Sequence, residues 1–339
     1  MTDVLKALII ASEKAAGIAR SCTEANEALL VTEKSEIEAN ARFARDFKTI
    51  ADVLAQECAK AEVAKCLPAI SKHLRGEEHN EIGGVTITLQ ETEEKTTELL
   101  GSLIPLSTAT QMAKAAHAQV NHTFTEALPN IPMLDYEDLG VWIDPIDGTA
   151  EFIAGVRGEA DANHGLSCVT VLIGAYLRSS GEPIIGVINQ PFYDGGNGRM
   201  IWGVNYKGTH NWNGGGYKTK PDNKTVLVSG AEKSDIIQKL KSSGWEVKSV
   251  PGAGNKLLKV ALGEAAAYVV SQGTTFRWDT CAPHAVLNAR GGGLVSFTTH
   301  CAITYNDAVD LDTKEYCNSE GIIACGDQST FSKILNDLN

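Results

Sequence analysis

Residues 141–149 read VWIDPIDGT, so Asp144 and Asp147 stand three apart at the end of an apolar run. Pro145 and Ile146 separate them, and Gly148-Thr149 follows. Hard divalent cations such as Mg²⁺ take oxygen ligands at about 2.0–2.1 Å. Two carboxylates and the Ile146 carbonyl would supply them if a proline, with φ fixed at about −65°, turned all three toward one point. Gly148 would let the backbone approach a ligand closely. A helix opened by Thr149 would aim free N–H groups at an anion. The stretch is a candidate for holding metal and phosphate together, although a lone Asp-x-x-Asp is more often a turn and a helix cap.

Acids in three other segments could join it. Glu77 and Glu78 follow Gly76 in RGEEHNE, where adjacent glutamates are ordinarily a solvated pair. Asp279 opens an apolar helical stretch in RWDTCAPHAVL and reads on its own as an N-cap. Asp52, in DFKTIADVL, would ordinarily be an exposed helical acid. Spacing alone does not bring the four segments together.

The elements that would have to do so follow from periodicity. Apolar residues at Val4, Leu8, Ala11, Ala15 and Ile18 predict a helix over 3–20. Phe43, Phe47, Ile50, Leu54 and Cys58 predict a second over 42–64, and 31–40 between them reads as a charged loop. Strands are expected at 85–89 and at 139–144, the latter stopping at the acids, with a helix over 107–120 between them. CVTVLIGAYL and IIGVINQP form a hairpin around Gly-Glu-Pro, and RMIWGVNY is a further strand. A polar loop over 207–224 is the softest boundary, which suggests lobes at 1–206 and 207–339. Beyond it, strands at 225–229, 246–250, 265–271, 292–297 and 321–326 alternate with helices at 234–242, 254–263 and 278–289, a layered α/β pattern. Ser329 is expected to cap a last helix.

The 339 residues suffice for one two-lobed unit, with 43% hydrophobic and 21% charged residues. A net charge of −12 argues against nucleic acid or an anionic membrane as partner. A phosphorylated substrate stays possible, because bound cations reverse the sign of a carboxylate site. The eight cysteines form no CxxC, and no leader or membrane-spanning stretch stands out. Reduced thiols and a cytoplasmic protein are expected.

DPIDGT followed by WDTCAP resembles the paired signatures of the inositol monophosphatase superfamily, whose members are Mg²⁺-dependent, lithium-sensitive phosphomonoesterases. Gly76-Glu77-Glu78 supplies its third acidic segment. The likeness runs through most of 1–206 and again about 225–297, and is strongest toward the branch that acts on inositol polyphosphates. It implies an α+β fold in five αβαβα layers, like the inositol monophosphatases and fructose-1,6-bisphosphatases. It also implies hydrolysis of the 1-phosphate of inositol 1,4-bisphosphate and inositol 1,3,4-trisphosphate by a monomer.

Residue by residue, the resemblance places one Mg²⁺ on Glu77, Asp144 and the Ile146 carbonyl. A second falls on Asp144, Asp147 and Asp279, and Glu78 helps with a third. Li⁺ would inhibit by replacing one of them. Asp52 and Thr149 would orient the attacking water. Asp147, Gly148 and Thr149 would meet the phosphate. Gly252, Ala253 and Lys256 of PGAGNKLL would face the ring and a second phosphate, with Lys233 of VSGAEKS beside it. Ala231 stands where vertebrate relatives carry serine, so one hydroxyl contact is lost.

DPIDGT, GAGNK and WDTCAP also resemble 3′(2′),5′-bisphosphate nucleotidases, so hydrolysis of 3′-phosphoadenosine 5′-phosphate to AMP is the alternative. A third reading, from another class, is a phosphoinositol- or Ca²⁺-binding protein without turnover. The eight histidines are scattered, and His284 reads as packing rather than as a ligand. Cys281 reads as a small core residue. Trp142 and Trp278 are expected to pack beneath the acids.

Overall fold

A computed structural model of the chain describes residues 3–23, 29–35, 38–39, 46–120, 124, 127–216, 224–306 and 313–338. Helix α1 (Asp3–Ser21) buries Val4, Leu8, Ala11, Ala15 and Ile18 along one stripe. A short ribbon pairs β1 (Val31–Glu33) with β2 (Phe47–Thr49). Helix α2 (Ile50–Cys66) follows at once. The helix expected from 42 therefore begins at 50. Phe47 lies in β2, and Phe43 lies outside the described residues. The cause is a reciprocal cap. The Thr49 side chain accepts the Asp52 N–H, while the Asp52 carboxylate accepts the Thr49 N–H.

Next come β3 (Leu74–Gly76), β4 (Glu81–Ile82) and β5 (Val85–Thr86), the last much shorter than the strand expected over 85–89. Helices α3 (Glu93–Gly101) and α4 (Leu106–His117) precede β6 (Leu139–Asp147). Helix α5 (Thr149–Val156) leads to β7 (Thr170–Leu177), β8 (Pro183–Gln190), β9 (Arg199–Tyr206) and β10 (Thr209–Trp212). Part of the loop expected over 207–224 is thus strand, and 217–223 lie outside the described residues.

The rest alternates: β11 (Thr225–Val228), α6 (Ser234–Ser242), β12 (Glu246–Ser249), α7 (Ala253–Leu262), β13 (Ala267–Val270), α8 (Arg277–Arg290), β14 (Gly293–Ser296), β15 (Ile322–Cys325) and α9 (Gln328–Leu338). The cap of α9 is Asp327, whose carboxylate accepts the Thr330 N–H, and not Ser329, which lies inside the helix.

Six strands form one sheet in the order β10-β9-β8-β7-β6-β3, antiparallel except for β3 against β6. Five form the second in the order β12-β11-β13-β15-β14, with β11, β12 and β13 parallel. Helices α1 and α2 cover one face of the large sheet. Helices α7 and α8 lie between the two sheets, and α6 and α9 close the far side of the small one. This gives the five expected layers. None of the eight cysteines is disulfide-bonded. Among the described residues no helix is long and apolar enough to cross a membrane.

One feature of the large sheet brings α8 close to it. Gly174, Gly186 and Gly203 face one another across β7, β8 and β9, where Gly174 pairs with Gly186 and Gly186 with Gly203. A β-carbon on Gly174 would lie 2.5 Å from the Ala282 nitrogen, and one on Gly203 2.7 Å from Val286 Cα. Missing side chains on three neighbouring strands make a floor on which the α8 backbone rests.

Candidate active site

The acids meet because β6 and α8 point their ends at one place. β6 does not stop at Asp144, as expected. It runs to Asp147 with all nine residues buried, and its pairing with β7 slips between the two aspartates. That irregularity, at Pro145, turns both carboxylates the same way. Asp279 lies in the first turn of α8, which the glycine floor holds against the sheet. One oxygen from each of Asp144, Asp147 and Asp279 lies within 4.8 Å of the others, and all three residues are buried.

Glu77 joins them from β3. Gly76 pairs with Ile143, and the Glu77 N–H donates to the Ile143 carbonyl at 3.1 Å, so Glu77, just past the end of β3, stands beside Asp144 of the parallel strand β6. Gln56 of α2 fixes this corner. Its amide accepts the Glu78 N–H at 2.9 Å and donates to the Glu78 carbonyl. A β-carbon at position 76 would collide with the Gln56 side chain, so any larger residue there would displace the amide that holds Glu78.

These groups repel one another. Burial first, then the charges of Glu77, Asp147 and Asp279, hold the Asp144 carboxyl well above the usual carboxylate range. Burial and the charges of Asp147 and Glu77 do the same to Asp279. Asp147 is pushed up to about 6 by burial, against the pull of Lys256, Thr170 and the Gly254 N–H. Asp144 Oδ1 is buried and has no hydrogen-bond partner among the described residues. A buried carboxylate oxygen without a donor, amid three more acids, has the chemistry of a hard-cation site. The residues therefore fit a bound Mg²⁺.

A cation already present was not foreseen. Lys34, in the stretch read as a charged loop, is buried, with its ammonium 2.6 Å from Glu77 Oε1 and 2.8 Å from Glu78 Oε1. Even so, burial pushes the Glu78 carboxyl up to about 8. Nothing in VTEKSEIEAN separates this lysine from an exposed one.

Asp52, which periodicity alone would make an exposed acid, is buried at the start of α2. Its Oδ2 takes the Thr49 cap, while its Oδ1 accepts the Thr149 hydroxyl at 3.2 Å. The same hydroxyl lies 3.3 Å from the Ile146 carbonyl, so its single proton is shared between two acceptors. Burial raises the Asp52 carboxyl to about 6. Gly148 has φ +86°, a left-handed value that places Thr149 at the head of α5.

The second sheet brings its loops to the same place. Strands β11, β12 and β13 run parallel, so the segments leaving their C-terminal ends share one edge. After β12, the Ala253 and Gly254 N–H groups at the start of α7 donate to Asp147 at 3.2 and 3.0 Å. Gly252 has φ +75°, and a β-carbon there would sit 3.1 Å from Asp147 Oδ2. Lys256 is buried and donates to the Val250 and Gly252 carbonyls at 2.9 and 2.7 Å. After β11 come Ala231 and Lys233, both exposed. The indole Nε1–H of Trp142 donates to the Tyr305 carbonyl, and Trp142 packs on Trp278 beneath the acids. His284 shares a hydrogen bond with the Tyr305 hydroxyl, and burial drives its pKa down to about 3, so it packs as a neutral ring.

Buried acids that a cation could bridge, beside a hydroxyl–carboxylate pair able to orient a water, are what a metal-dependent hydrolase would need. The sequence pattern of the inositol monophosphatase family matches residues 2–338, and the chain belongs to that family of phosphoric monoester hydrolases. It is 38% identical to the inositol polyphosphate 1-phosphatase of Mus musculus, covering 87% of this chain and 83% of that one. The Bos taurus protein of the same name is 38% identical over 100% and 97%. The 3′(2′),5′-bisphosphate nucleotidase 1 of Mus musculus is 36% identical, over 56% of this chain and 58% of its own. Among solved structures, the extragenic suppressor protein suhB of Bartonella henselae shares the fold with TM-score 0.58 and 16% identity, covering 99% and 98%. An IMPase/NADP phosphatase complexed with Mg²⁺ and phosphate shares it with TM-score 0.54 and 15% identity, covering 91% and 86%.

Proposed function

We propose that this chain removes the 1-phosphate of inositol 1,4-bisphosphate and of inositol 1,3,4-trisphosphate. The meeting of Asp144, Asp147 and Asp279 beside the Asp52–Thr149 pair carries the reading. The substrate class rests on likeness to the two inositol polyphosphate 1-phosphatases across 87% and 100% of the chain, against 56% for the nucleotidase.

Mg²⁺ is the metal the site suits. Glu77, Asp144 and the Ile146 carbonyl would hold one ion, and Asp144, Asp147 and Asp279 a second, with Glu78 available to a third. Li⁺ would compete for one of these positions. Bound divalent cations would supply acidity to a water and neutralise phosphate charge. Asp52 draws the Thr149 proton toward itself, leaving the threonine oxygen's lone pairs to accept from and aim an attacking water. The Gly148 and Thr149 N–H groups at the head of α5 receive phosphate oxygens. Lys233 serves the second phosphate as a point charge. Lys256 assists there and, through the Val250 and Gly252 carbonyls, holds the turn that presents Gly252 and Ala253 to the ring. Ala231 offers that pocket no hydroxyl. Residues 1–206 supply most of the metal ligands, and 207–339 complete the site. The protein works as a cytoplasmic monomer without nucleic-acid or membrane partners.

The test is a phosphate-release assay under Mg²⁺ on inositol 1,4-bisphosphate, inositol 1-phosphate and 3′-phosphoadenosine 5′-phosphate. Preference for the first is expected. Preference for the nucleotide would move the chain to the nucleotidase reading, and no release from any of them would make it a binding protein.

A further inference from the structure

Glu232 is a buried carboxylate directly beside a lysine meant to attract phosphate. A negative charge there would ordinarily weaken anion binding. Its surroundings explain its presence. Glu232 Oε2 accepts the Ser271 N–H at 2.9 Å, and Oε1 accepts both the Ser271 hydroxyl and the Lys233 N–H, the latter at 2.9 Å. The Glu232 N–H in turn donates to the Ser229 carbonyl at 3.1 Å. Three donors therefore converge on one carboxylate, which ties the turn after β11 to the residue that follows β13. Ser271 also begins the segment that runs into Asp279. The backbone from which Lys233 projects is thus fixed against the same frame as a metal ligand, while Lys233 itself stays exposed.

We propose that Glu232 is a positioning residue for recognition of the substrate's second anionic group, acting through Lys233. The inference rests on the reading of Lys233 given above. With its charge taken up by three donors, Glu232 repels the substrate little. Its effect is to restrict where the Lys233 ammonium can go, so that less freedom is lost when a phosphate binds.

A double-mutant cycle on the full chain with Mg²⁺ tests this. Glu232→Gln keeps the shape but leaves three donors facing one acceptor oxygen and an amide. KM for inositol 1,4-bisphosphate should rise about tenfold, the scale of a lost charged hydrogen bond, while kcat changes by less than about twofold. Lys233→Ala should raise KM by itself, and adding Glu232→Gln to it should have no further effect. A fall in KM in Glu232→Gln, as simple removal of a negative charge would give, overturns the proposal. So does an equal rise in the Lys233→Ala background, which would mark general structural damage. If Lys233→Ala leaves KM unchanged, the reading of Lys233 itself fails, and the inference with it. Ser271→Ala, which removes only the hydroxyl donor, gives the same readout should Glu232→Gln not fold. Its smaller KM rise must also vanish without Lys233.

Discussion

Gly186 on the large sheet lies so close beneath Ala282 of α8 that a β-carbon on the glycine would overlap the Ala282 carbonyl. Asp144 stands on that sheet and Asp279 on that helix, so this packing contact helps set how the two carboxylates meet at the proposed metal site. Gly186→Ala should cost about 3 kcal/mol through overpacking. It should also weaken Mg²⁺ binding, because α8 must move outward with Asp279. Denaturant melts with and without Mg²⁺ check both, and a variant that loses stability but keeps full Mg²⁺ affinity would separate the helix position from the ligand set.

Asp144 lies among three acids whose charges raise its carboxyl, and it has an oxygen with no hydrogen-bond donor among the described residues. Asp144→Asn should lower turnover more than about 100-fold, since the group central to both proposed ion positions is gone. In a chelator the same variant should melt no lower than the parent, because one of the mutually repelling carboxylates has been removed. Normal turnover would reject the metal assignment.

The metal-free protein should lose stability as pH rises. Folding raises the carboxyls of Asp52 and Asp147 to about 6 and that of Glu78 to about 8. A raised carboxyl binds its proton more tightly folded than unfolded. Its contribution is therefore fully present below the unfolded value of about 4 and lost as pH climbs through the folded one. In chelator, the melting temperature should fall between about pH 4 and 8. Saturating Mg²⁺ should abolish most of that fall, because cations replace protons as the counter-charge. A flat profile in chelator would mean that these acids are not crowded together.

Much of this centre can be read from residue order and some cannot, for physical reasons. DPIDGT keeps two of the proposed carboxylate ligands and their turn within six residues, so local spacing exposes them. Thr49-Ile50-Ala51-Asp52 carries a capping-box signal, and reading it would have started α2 at 50 rather than 42 and placed Asp52 at a helix head. The glycine floor depends on the register of three strands, since Gly174, Gly186 and Gly203 mean nothing apart. Lys34 was the least legible. Its stretch is polar and charged, and only the return of the chain across β3 makes it a buried ion-pair partner. Gln56 and Glu232 act on backbone amides far away in sequence, a role that no spacing rule announces.

Thr149 should be separable from metal binding. Thr149→Val keeps the volume but removes the hydroxyl that donates to Asp52 Oδ1. Turnover should fall by about 10² to 10⁴, the usual span for losing a group that orients a reacting water. Mg²⁺ binding measured by calorimetry should change far less, because every proposed metal ligand keeps its own oxygen. Retained kcat would remove the Asp52–Thr149 pair from the chemistry.

Lys34 supplies the only ammonium paired with Glu77 and Glu78 among the described residues. Lys34→Met deletes that charge while filling similar space. Breaking a buried ion pair from one side costs about 3–5 kcal/mol, because the remaining charge is left uncompensated. The metal-free variant should therefore melt well below the parent. A divalent cation can supply the missing charge, whereas in the parent it meets a pair of glutamates already neutralised in part. Mg²⁺ should accordingly raise the melting temperature of Lys34→Met by more than it raises that of the parent. Thermal melts of both proteins across a Mg²⁺ series decide the matter, and equal increments would show that Lys34 and the metal do not share these glutamates.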